Sequence, residues 1–161
     1  MWPRRAAWHT RLAGLALLAG AANLLAAPTT FGSVVGSVLL CREHIDSAYY
    51  YSYLSAAFGP AYKREGGAYW FKANASLWGI AISDVLVSDD SSPILFVGAV
   101  ADTVPDKLGQ AIGAATGVHY VKADNTAFPL RLSSAGSKIV YFKSKSKIYC
   151  DSYNPLPRGG R

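Results

Sequence analysis

Residues 103–117 read TVPDKLGQAIGAATG, and this stretch decides the fold. Pro105 stands where the first turn of a helix has no N–H to lose. Thr103 and Asp106 have capping-box spacing, with Asp in place of the usual Glu. Leu108, Ala111, Ile112 and Ala115 fall on one face at helical spacing, and Gly117 supplies the stop. The spacing predicts one helix here, with extended runs on both sides of it.

Upstream, Ile94 to Ala101 is a nearly continuous apolar run, as expected of a strand covered on both faces. The turn Asp89-Asp90-Ser91-Ser92-Pro93 precedes it. Before that, Leu77 to Val87 reads as a strand interrupted by Gly79 and Asp84, and Ala68 to Lys72 as another after Gly66-Gly67. Downstream, Val118 to Lys122, Phe128 to Leu132 and Lys138 to Cys150 read as strands, with Ser133-Ser134-Ala135-Gly136 as a break. An earlier helix is predicted from Ser47 to Phe58, with Asp46 as N-cap and Gly59-Pro60 as stop. The order α-β-β-β-α-β-β-β predicts an α+β domain, two helices packed on one face of an antiparallel sheet. It also hints at a doubled unit of about 55 residues, although no residue pattern matches between the halves.

The helical run from Ser47, with Phe58-Gly59-Pro60 and Gly66-Gly67-Ala68-Tyr69-Trp70-Phe71 after it, resembles small periplasmic helix-and-sheet lipoproteins of the SmpA type. The lipid-bearing cysteine of that type is missing, and no functional residue is carried over.

The first 27 residues carry Arg4, Arg5 and Arg11 without an acid, an apolar run from Leu12 to Leu25, and small residues at Ala26-Ala27. That is the pattern of a cleaved signal peptide. The apolar run falls short of the roughly 20 residues a membrane span needs. The expectation is a periplasmic or secreted protein beginning near Pro28, with no transmembrane anchor after cleavage. Residues 28–40 form a small apolar lead segment or a first strand through Val38-Leu39-Leu40. Residues 41–153 form a single α+β domain, and residues 154–161 a flexible basic tail.

The formal charge of +6 falls to +3 without the signal, and so weak an excess calls for no nucleic acid. The excess is uneven. From Arg131 onward seven basic residues face one acid, whereas residues 28–130 hold six basic and nine acidic. Cys41 and Cys150, in an oxidising compartment, predict a disulfide; closing so long a loop removes about 4–5 kcal/mol of denatured-state entropy. The rival reading is a reactive Cys41 with His44.

Signatures of catalysis are sparse. His44 and His119 lie far apart, no Cys-x-x-Cys is present, and Asp89-Asp90 lacks the spaced donors of a calcium loop. Ser144 and Lys147 match Ser-x-x-Lys, but strand alternation would put them on opposite faces. Gly109, Gly113 and Gly117 recur in a helix instead of between strand and helix, so they cradle no phosphate. Asn74-Ala75-Ser76 has the form of a glycosylation sequon. No metal and no cofactor is expected.

Two features point to binding. Tyr49, Tyr50 and Tyr51 are consecutive, and a helix cannot bury all three, so Tyr49 and Tyr51 make a candidate aromatic patch. In the run 138–150, Tyr141, Lys143, Lys145, Lys147 and Tyr149 alternate, which would set the lysines in a row about 6.6 Å apart. Such a strip could take an anionic lipid, an acidic polysaccharide or an acidic protein face; a second reading is an edge strand guarded by charge. The sequence therefore predicts an exported, small, non-catalytic binding protein. The alternatives are an envelope enzyme assembled from scattered residues, such as His119 with Asp124, or an envelope assembly or structural factor.

Overall fold

The structure, a computed structural model, describes residues 26–153. It holds three helices, α1 (Phe31–Leu39), α2 (Ser47–Phe58) and α3 (Pro105–Thr116). The strands are β1 (Lys63–Glu65), β2 (Ala68–Leu77), β3 (Ile80–Ser88), β4 (Ile94–Ala101), β5 (Tyr120–Lys122), β6 (Arg131–Ser133), β7 (Lys138–Phe142) and β8 (Lys145–Tyr153). All eight join one antiparallel sheet in the order β1-β2-β3-β4-β8-β7-β6-β5. The fold is mixed α+β, as the patterning predicts. The signal reading, through residue 25, and the tail at residues 154–161 lie outside the described residues.

The order of elements is doubled. Each of α2 and α3 leads into a four-strand meander, and the two meanders join through their last strands, β4 and β8. No residue pattern carries this repetition, so it is visible only in the topology.

Four expectations need correction. Residues 28–40 are not a lead or a strand: Phe31, Val35, Val38 and Leu39 recur at helical spacing and bury one side of α1. The run from Leu77 to Val87 is not one strand. Trp78 (φ 53°) and Gly79 (φ 76°) form a two-residue turn, the geometry a tight hairpin between twisted strands favours, and Leu77 ends β2. The run from Lys138 to Cys150 is likewise a hairpin, broken at Lys143 (φ 56°) and Ser144. At α3 the predicted capping box does not form. Asp106 binds Arg131 instead (Nη2 to Oδ1, 2.7 Å), and no side chain caps the helix. Gly117 stops it in the left-handed conformation, as expected.

Strand alternation divides the sheet into two faces. Phe71, Val85, Val87, Val97, Ala99, Ile139 and Ile148 pack with buried residues of all three helices in the main core. A register shift between Ile82 and Asp84 re-phases β3, so Ile82 joins the same core. The intervening residues Ala68, Trp70, Leu86 and Val100 form a second cluster, with Phe96 and Phe142 against it and no helix residue in it. That second face positions the site.

The main core is tied by a disulfide between Cys41, just after α1, and Cys150 on β8, with Cα atoms 5.4 Å apart. This excludes the reading of Cys41 as a free thiol beside His44. No described helix is long and apolar enough to cross a membrane.

Candidate functional site

Register builds the site. Lys63 pairs with Trp70, Trp70 with Leu86, Leu86 with Gly98, and Gly98 with Tyr149, so one row of the open face crosses five strands. The neighbouring row runs Lys72, Asp84, Val100, Lys147 and Val140. Directly opposed residues in antiparallel strands share a face. Lys63, Trp70, Leu86 and Tyr149 of the first row and Lys147 and Val140 of the second, with Phe96 and Phe142, line a groove of about 630 Å³, within the range of small-molecule sites.

Two rings frame it. The Trp70 and Phe142 centroids are 6.1 Å apart, and the Trp70 indole Nε1–H donates to the Glu65 carbonyl (3.1 Å), which fixes the ring. Lys147 Nζ stands 4.3 Å from the Phe142 centroid and 5.1 Å from that of Trp70. Lys63 Nζ lies 4.2 Å from Trp70, and Lys143 Nζ 5.8 Å from Phe142. Ammonium groups are drawn to aromatic faces by the ring quadrupole.

The charges around the groove are matched, with two exceptions. Lys63 pairs with Glu65 (2.7 Å), Lys72 with Asp84 (2.7 Å), Lys145 with Asp102 (2.5 Å) and Lys138 with Asp151. Among the described residues no carboxylate pairs with Lys143 or Lys147. Burial, and then the charge of Lys63, pushes the Lys147 ammonium below the usual lysine range. Asp84 is the opposite case. Although burial alone would raise it, bonds from Lys72, Ser83 and the Tyr62 hydroxyl (2.8 Å) hold its carboxyl below the usual range.

The structure splits the predicted strip. Lys145, Lys147 and Tyr149 share the open face. Tyr141 is on the other side, because it pairs with Ser146 and stands over the Arg131 guanidinium at 5.3 Å. Lys143 lies in the turn, not on a strand. Nor is this strand an edge: β8 is paired on both sides, by β4 and β7, so edge protection does not account for its lysines. Trp70, Leu86, Phe96 and Phe142 were not singled out by sequence reading. Their signal was the alternation itself, once each hairpin is cut at its turn.

Tyr49 and Tyr51 do not form one patch, because positions two apart on a helix point to nearly opposite sides. Tyr49 stacks on Tyr53 with centroids 6.5 Å apart, whereas Tyr51 meets Tyr69 at 4.7 Å and Phe71 at 5.7 Å.

A second cavity, about 450 Å³, lies between α3 and β5 and includes His119, Lys122 and Arg131. Arg131 is saturated there: Nε and Nη2 bond Asp106 (2.9 and 2.7 Å), and Nη1 bonds the Pro129 carbonyl (2.9 Å). Asp124 bonds Thr126 and the Leu130 N–H, not His119. Among the described residues no cluster of three or more His, Cys, Asp or Glu could hold a metal ion.

Set against protein-family models, curated proteins and solved structures, the chain matches none of them.

Proposed function

We propose that the protein is an exported, non-catalytic binding protein that holds an anionic ligand with an apolar body in the groove on the open face of its sheet. The carrying observation is Lys147: an ammonium without a carboxylate partner among the described residues, set over two aromatic rings and an apolar floor. Desolvating a charge is unfavourable unless something pairs with it, and an acidic headgroup supplies that pair. Export is supported by the basic, acid-free start with its apolar run, and by a disulfide, which persists in oxidising compartments. A periplasmic or secreted location follows from that reading.

Binding of decyl phosphate, compared with dextran sulfate and an acidic peptide, tests it. Decyl phosphate binds best, and its affinity falls as salt rises. Lys147→Gln weakens it roughly tenfold to a hundredfold, the worth of a hydrogen bond to a charged group. Equal binding by wild type and variant contradicts the proposal. Tighter binding of the polymer or the peptide moves the function to a polysaccharide or a protein partner.

A further inference from the structure

Resting on that reading, we infer that the ligand is a monomeric single-chain anionic amphiphile lying along β8. Its headgroup sits at Lys147 and Lys143, its chain runs past Gly98 toward Phe96, and Gly98 and Phe96 set the accepted chain length.

The direction follows from register. Lys147 is opposite Val100, Tyr149 opposite Gly98, and Asp151 opposite Phe96. Along β4 the open-face positions from the headgroup are therefore Val100, Gly98 and Phe96, a path of about 13 Å. Across the sheet, the row through Lys147 passes Val100 and then meets the Asp84–Lys72 ion pair. A hydrocarbon chain would bury charge in that direction and meets aromatic and aliphatic surface in the other.

Charge fixes the polarity. At the Phe96 end the nearest charges, Asp151 and Lys138, are already paired, and Lys63, which stands over Trp70 beside Lys147, is held by Glu65. The unmatched ammonium groups stand at the Phe142 end, so the acidic headgroup belongs there.

Gly98 keeps the floor low. A Cβ there would lie 3.2 Å from Leu86 Cγ and 3.3 Å from the Ile148 carbonyl oxygen. The missing side chain lets Leu86 lie down against β4. Alanine at this position would drive Leu86 up into the path of the chain, and Phe96 closes its far end.

The test is calorimetric titration with straight-chain alkyl phosphates of increasing length, below micelle formation, beside inorganic phosphate and anionic vesicles. Affinity is expected to rise about fourfold per methylene until the chain spans about 13 Å, and then to level off. Gly98→Ala weakens the longer chains and spares the shortest. Phe96→Ala moves the plateau to longer chains, and it carries the test if the glycine variant fails to fold. Equal affinity for phosphate and every alkyl phosphate overturns the inference while leaving an anion site at Lys147 in place. Binding to vesicles alone overturns it in favour of a membrane surface. If neither phosphate nor any amphiphile binds, the proposed function falls with it.

Discussion

The Ser137 hydroxyl donates to the Leu39 carbonyl across 2.6 Å, joining groups 98 residues apart. Its lone pairs are left for the Tyr120 hydroxyl, 2.8 Å away, and its backbone N–H is held by Ser133 Oγ at 3.0 Å. This one buried hydroxyl ties the end of α1 to β5 and to the β6–β7 turn. Ser137→Ala strips partners from two groups, so unfolding in urea should show a loss of about 1–3 kcal/mol. A loss near zero would mean that water replaces the hydroxyl.

Tyr120 gives an alkaline signature. Burial pushes its pKa up to about 12, against 10.0 for an ordinary tyrosine. The unfolded chain therefore ionises first as pH rises. The stability tied to this group is intact below pH 10 and is lost between about 10 and 12. Tyr120→Phe removes the ionisation, so in that window the variant should lose stability less steeply than wild type. Parallel curves would place Tyr120 in solvent.

Asp89 gives the acidic counterpart. Arg64 Nε (2.5 Å) and the Ser91 N–H (2.8 Å) and hydroxyl (2.6 Å) hold its carboxyl down at about 2, from an ordinary 3.8. A depressed carboxyl contributes stability above its unfolded pKa and loses it as pH falls through the folded one. The loss therefore lies between about pH 4 and pH 2. Asp89→Asn should be less stable at neutral pH and flatter across that window, as acid unfolding followed by circular dichroism would show. Because Arg64 belongs to β1, the same variant should loosen the sheet edge first, with faster amide exchange at residues 63–65.

The disulfide closes a separation of 109 residues. Replacing both cysteines by alanine should cost about 2–5 kcal/mol, read as a lower urea midpoint than that of the oxidised protein. Reductant should lower the wild-type midpoint toward that of the variant and leave the variant unchanged. A reductant-insensitive wild type would contradict the pairing.

The sequence made some of this legible. Asp46 and Gly59 bracket α2 as predicted, and Asp46 Oδ1 accepts from the Tyr49 N–H at 3.0 Å. Gly117 ends α3, and the cysteines pair. The misread parts share a cause. At Lys143-Ser144 the alternation of lysine and serine continues through a turn with neither Gly nor Asn, so nothing local marks the break. Cutting the run there moves Tyr141 to the helix side and leaves Lys147 facing Trp70, a residue 77 positions earlier that only β-pairing can bring near. Phe31 to Leu39 shows the same weakness. Its glycines disfavour a helix and its valines favour a strand locally, and the helix wins because one of its faces fills the core.

An anionic amphiphile should touch the protein at one place, the open face beside Lys147. Backbone and side-chain NMR shifts would be followed while decyl phosphate is titrated into the oxidised protein. The predicted result is a set of shifts confined to the open face: the Trp70 indole N–H, the Lys147 ammonium and its neighbours on β7 and β8, and the Gly98 amide. Lys147→Gln shrinks them sharply at the same ligand concentration. Shifts centred instead on His119, Lys122 and the α3–β5 cavity, or none at all, would contradict the account.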